Sequence, residues 1–196
     1  MMRAKGLAMV LVALSGAAVL GEMVTVPGSS TQYPTKIECN VAARPVKMVL
    51  TGAALRTNYL VNVYTIGSYV QEGVTVRSAE ELAALDRPKQ LHLILERNID
   101  GKALADAFRA AIRLNYPEPA FADELHTLAQ LLRSDSARKG DSIYLTHVPG
   151  VGLHCNRAGK VEYLIKSPNF ARAVWDIYLG KKNLGESIKK GLVSRL

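Results

Sequence analysis

Hydrophobic and polar positions alternate along some stretches of the chain and recur every three to four residues along others. Ile37–Ala42 is a short strand-like run, and a turn at Ala43-Arg44-Pro45 leads into VKMVLTGAAL. Residues 58–70, NYLVNVYTIGSYV, are rich in β-branched and aromatic types that suit a pleated surface. Ser78 with Glu81 forms a capping box for a short helix ending near Leu85. Residues 90–97, QLHLILER, alternate as a strand.

Helical spacing follows. Asp100 is placed to cap GKALADAFRAAIRLN, where Leu104, Phe108, Ala111, Ile112 and Leu114 give mostly helical spacing until Pro117 and Pro119 intervene. A second helix spans about 119–134 through Phe121, Leu125, Leu128, Leu131 and Leu132. Strand patterning returns in SIYLTHV, LHCN and VEYLI, joined by turns at 149–152 and 157–160. Ser167-Pro168 then opens a helix that stops at Gly180, a C′ glycine, and a last helix covers about 185–195. Strands, helices, strands and helices in that order make an α+β fold with antiparallel pairing, unlike the regular βαβ alternation of a parallel sheet.

The N-terminus reads differently. Arg3 and Lys5 precede Gly6–Gly21, which carries no charge and is shorter than the about 20 residues of a membrane span. A basic start and a short apolar stretch mark residues 1–21 as a secretory signal, with an uncleaved anchor as the alternative. Residues 22–35, polar with Pro and Gly, read as a linker, which leaves 36–196 as one domain. Export places the protein in the periplasm or outside the cell. It also permits a disulfide between Cys39 and Cys155, whose state the sequence leaves open.

Charge and composition narrow the function. The formal charge is +8, of which Arg3 and Lys5 supply two. The remaining cations form no basic stripe with interleaved aromatics, so nucleic acid is not an expected partner. Lys181, Lys182, Lys189 and Lys190 read as a solvated face or a contact for anionic lipid. His147 and His154 flank the PGVG turn, too thin a set for a metal site, and no cofactor signature is present. Trp175 reads as core, and Gly67 as a place of close backbone approach.

The telling stretch is 51–70. Arg56 lies in a largely apolar strand segment, where a guanidinium needs an anionic or polar partner. A tight turn around Thr57–Tyr59 brings Arg56 against Tyr64 on the next strand. The alternative is a surface arginine at a sheet edge.

Three motifs carry a family resemblance: G-x-x-L-R at 52–56, V-Y-x-x-G-x-Y at 63–69 and I-Y-L-G at 177–180. Together they resemble the chalcone isomerase-like family over roughly residues 36–195, in particular its secreted bacterial branch. The resemblance implies an open-faced β-sandwich, an antiparallel sheet with helices on one face and a ligand cleft between them. Family enzymes cyclise a chalcone to a flavanone, whereas non-catalytic relatives bind fatty acids through an arginine and a tyrosine. By the resemblance, the arginine that stabilises the substrate oxyanion falls on Arg56. The enzymes' strand threonine falls on Tyr64, or on Thr65 with a one-residue slip. Their helix tyrosine and asparagine fall on Leu104 and Ala111, and a further hydroxyl residue falls on Ile177. Apolar residues there cannot donate to a developing oxyanion. The expected function is therefore non-catalytic binding of a fatty acid or similar carboxylate, with Arg56 and Tyr64 as the polar end. An isomerase (intramolecular lyase) with Arg56 as its catalytic residue, and an envelope protein with a vestigial cleft, are the alternatives.

Overall fold

The computed structural model describes residues 21–133, 137–158 and 161–196. The proposed signal segment, Gly21 aside, lies outside them, as do the last residue of the helix expected over 119–134 and the end of the turn at 157–160.

Among the described residues, seven strands form one antiparallel sheet in chain order: β3 (Lys36–Val41), β4 (Arg44–Asn58), β5 (Val61–Gln71), β6 (Lys89–Leu95), β7 (Ser142–Val148), β8 (Gly152–Arg157) and β9 (Val161–Ile165). Each strand pairs with its sequence neighbour. Helices α1 (Ala79–Ala84), α2 (Gly101–Arg113), α3 (Ala122–Arg133), α4 (Pro168–Leu179) and α5 (Glu186–Leu192) fill the connections and the C-terminus. The α+β architecture is the expected one. The caps form too: the Glu81 amide donates to Ser78, that of Ala103 to Asp100 and that of Phe170 to Ser167. Helix α4 ends at Leu179, but Gly180 is extended (φ −72°) and not the left-handed C′ residue expected.

Two cores flank the sheet. On one face Ile66, Leu91, Leu93 and Leu145 pack with Phe108, Leu128 and Trp175 of the helices. On the other, Met48, Leu50 and Tyr69 pack with Val26 and Tyr33. The second core corrects the linker reading of 22–35. Those residues form a hairpin, β1 (Met23–Thr25) with β2 (Gln32–Pro34), and Val26 and Tyr33 are wholly buried beneath it. Covering both faces explains why residues 64–70 are buried without alternation.

Two glycines permit the layers to close. A Cβ at Gly67 would stand 2.7 Å from the Tyr33 ring, so the expected close approach is by an aromatic side chain and not by backbone. Gly52 (φ +154°) sits at a register shift in β4, and a Cβ there would fall 2.1 Å from the Gly191 carbonyl oxygen of α5.

Both cysteines are free thiols. Cys39 lies in edge strand β3 beside Met48, and Cys155 is buried in β8 within the helical-side core. Strands β3 and β8 are separated by four others, so no bridge joins them. His147 and His154 do not face one another: His147 pairs with Leu153, and His154 with Thr146.

Candidate functional site

The site starts with a register. Strands β4 and β5 are joined by the two-residue turn Tyr59-Leu60, two residues later than the Thr57 start expected, and a register shift between Arg56 and Thr57 then sets Arg56 opposite Tyr64. Both side chains enter the space between the sheet and helices α2 and α4. Asp100 caps α2 and fixes where it starts, so Leu104, Phe108 and Ala111 recur on the face turned to the sheet. Helix α4 contributes Ile177 and Tyr178, and the α4–α5 connection contributes Leu184. Together they enclose a cavity of about 420 Å³.

The cavity has an apolar body and a polar cluster. Leu104, Phe108, Ala111 and Ile177 are buried and offer only hydrocarbon. The Tyr64 and Tyr178 hydroxyls hydrogen-bond each other at 3.1 Å, both deeply buried. Burial raises the pKa of each tyrosine, that of Tyr178 well above the ordinary phenol value, although the Arg56 charge opposes the shift in both. Both phenols therefore stay protonated at neutral pH, and since one donates to the other, one hydroxyl hydrogen is left for a ligand. Arg56 is half-buried and donates to the Leu184 carbonyl at 3.1 Å. Among the described residues no carboxylate forms an ion pair with it. Its other guanidinium donors are those a carboxylate ligand matches. The exposed Asn58, Arg97, Asn98 and Asp100 also line the cavity and mark its open side.

Of the residues singled out from sequence, the fold brings together Arg56, Tyr64, Leu104, Ala111 and Ile177. Thr65 does not join them. Successive strand residues point to opposite faces, and Thr65 is buried in the layer beneath β1–β2, where its hydroxyl shares a 3.0 Å hydrogen bond with Tyr33. Tyr178 joins the site from inside the I-Y-L-G motif, beside the residue that the resemblance singles out. The hydroxyl expected to be absent from α4 at Ile177 is supplied by the next residue. Phe108 follows from helical spacing, four residues after Leu104. Arg97, Asn98 and Leu184 carry no local signal.

Among the described residues, no three His, Cys, Asp or Glu side chains cluster for a cation. His147 instead meets Asp86 at 2.8 Å, and His154 lies 3.6 Å from Glu162.

The architecture has a counterpart among solved structures. A fatty-acid-binding protein of Arabidopsis thaliana superposes with a TM-score of 0.67 over 88% of this chain and 96% of its own, at 18% identity. No curated protein matches the chain by sequence. The family model for chalcone isomerase-like proteins matches residues 31–194, which takes in the whole sheet, the helices and every cavity residue. The chain belongs to the chalcone isomerase-like family.

Proposed function

We propose that the protein is an exported, non-catalytic binder of a fatty acid or similar carboxylate, from a secreted bacterial branch of its family. The observation that carries the binding role is one cavity that sets Arg56, with no carboxylate paired to it among the described residues, and two protonated tyrosines against an apolar body, the polar Asn58, Arg97, Asn98 and Asp100 standing at its open side. An amphiphilic acid fits this division. Its head meets the Arg56 fork, and each buried methylene of its tail contributes about 0.8 kcal/mol. The likeness to a plant fatty-acid-binding protein agrees with this reading. Arg3, Lys5 and the uncharged run after them support export to the periplasm or medium.

The test is native mass spectrometry of the protein as purified, followed by calorimetric titration with palmitate. Wild type is expected to bind it, and Arg56→Ala to bind about tenfold or more weakly, as loss of a charge-assisted hydrogen bond requires. Equal affinity in the two proteins would sink the assignment of Arg56.

One observation favours a second reading. The Tyr64–Tyr178 hydroxyl pair and Arg56 set phenol and guanidinium donors around one cavity, a set able to stabilise an oxyanion. Turnover of a chalcone by wild type, lost in Arg56→Ala, would make the protein an isomerase.

A further inference from the structure

The β4–β5 turn is built against its own backbone preferences. Tyr59 (φ 46°) and Leu60 (φ 65°) both occupy the left-handed region, as the two central residues of a type I′ turn must. Asn and Gly fill such positions because bulky side chains are strained there. Packing does not compensate for the strain. Tyr59 is 93% exposed and Leu60 100%, and Val61 beside them is exposed as well. Two large apolar side chains are thus held out in water at the end of the longest hairpin of the sheet.

That hairpin end forms the rim of the cavity. Arg56 and Asn58 on one strand and Val63 and Tyr64 on the other line it, directly below the turn. Arg56 and the exposed Arg97 line the same opening. The exposed Lys181 and Lys182 precede Leu184 in the α4–α5 connection, where the Lys182 carbonyl accepts from Asn115 beyond the end of α2. Asp100 is the acidic residue of the lining, and Glu186 nearby is held by Asn183. The rim therefore combines protruding apolar groups with excess positive charge. A second copy of the chain docking there would bring like charges together, whereas an anionic surface relieves them.

We propose that the cavity rim docks on a bilayer bearing anionic headgroups. Tyr59 and Leu60 enter the interfacial region, where an aromatic ring with a polar tip is favoured. Arg97 meets the headgroups, and the cavity opens toward the acyl chains. The docking stands on the turn and the charges, so it is testable whether or not a fatty acid is the ligand.

The experiment is flotation of the full-length chain with vesicles of phosphatidylcholine alone, or of three parts phosphatidylcholine to one part phosphatidylglycerol. Wild type is expected to bind the mixed vesicles and to release as salt is added. The double variant Tyr59→Asn/Leu60→Gly is expected to lose about tenfold or more of its partitioning. Because Asn-Gly suits the left-handed turn, its melting temperature should not fall, so lost binding is not lost folding. A second readout isolates the turn from the N-terminus. Trp175 is the one tryptophan and is wholly buried. Brominated acyl chains should therefore quench the Tyr59→Trp protein far more than wild type. Equal partitioning of wild type and the double variant, equal binding to both vesicle types, or no added quenching would each overturn the proposal. So would a wild-type dimer in solution that the double variant dissolves, since the turn would then dock on a second copy.

Discussion

Arg56 and Tyr64 are register partners, and their meeting on adjacent strands was legible because a strand pair has few degrees of freedom. A tight turn near Thr57–Tyr59 makes the two strands neighbours, but the exact partner escapes counting: from the observed Tyr59-Leu60 turn plain pairing would set Arg56 opposite Val63, and the register shift between Arg56 and Thr57 moves it to Tyr64. Tyr178 was not legible. Adjacent helix positions differ by about 100° around the axis, and only the packing of α4 shows that both Ile177 and Tyr178 reach the cavity. The buried Tyr64–Tyr178 pair implies unequal effects. Tyr178→Phe removes one donor and leaves the Tyr64 hydroxyl and Arg56, so palmitate affinity should fall by about 1 kcal/mol, less than for Arg56→Ala. Titration of both variants beside wild type checks the order, and a larger loss in Tyr178→Phe would shift the anchor from arginine to the phenol pair. Gly67 is a sharper case. An added Cβ meets the Tyr33 ring at 2.7 Å in a layer where that ring is fixed by Thr65 and the His92 carbonyl. Gly67→Ala should destabilise by about 1–3 kcal/mol through overpacking, read as a lower urea midpoint.

At the scale of elements, helix boundaries were legible where a side chain declares them, at Ser78, Asp100 and Ser167-Pro168. The β1–β2 hairpin was not. It is three residues per strand, rich in Thr, Ser, Pro and Gly, and its weight in the fold rests on Val26 and Tyr33. Polar composition describes its outer surface, while its value lies in two residues that reach the sheet's far face. Tyr33→Ala should therefore cost about 3 kcal/mol or more, as expected for a large buried aromatic. Were 22–35 a linker, the urea midpoint would not move. The β4–β5 turn has the reverse signature. Left-handed backbone costs a non-glycine residue about 1–2 kcal/mol, and neither Tyr59 nor Leu60 recovers it by burial. Replacing the pair by Asn-Gly should raise stability by about 1–2 kcal/mol in the same denaturation assay. A drop instead would show that the two side chains hold the turn together.

Taken whole, the molecule reads from sequence as an antiparallel sheet with helices because each strand pairs with its chain neighbour, so order along the chain is order in space. Charges buried by the closing of the layers escape such a reading, and Lys89 is the case with consequences. It starts β6 opposite His147, wholly buried, with its Nζ donating at 2.8 Å to the Leu82 and Ala83 carbonyls at the end of α1 and lying 4.9 Å from the centre of the Trp175 ring. Burial is the main cause that pushes its ammonium from 10.5 down to about 7; Arg172 adds to the shift, and Asp176 and Asp86 oppose it. The sign for stability follows from proton counting. Between about pH 7 and 10 the unfolded lysine keeps its proton while the folded one gives it up, so the unfolded state binds more protons and stability rises with pH. The contribution is present above the unfolded pKa and is lost as pH falls through the folded one. Tyrosines act the other way at the alkaline end. Burial raises the pKa of Tyr33, Tyr64, Tyr69 and Tyr178, so above about pH 10 the folded state holds protons the unfolded state has lost, and stability falls. Urea midpoints measured across this range should thus climb from neutral pH, peak near pH 9 to 10 and decline. Lys89→Met keeps the length and apolar stem without the charge. It should flatten the climbing limb and leave the declining one in place. If the climb persists in that variant, another group drives it and Lys89 holds its proton in the folded protein through neutral pH, stabilised by the α1 carbonyls and the indole face.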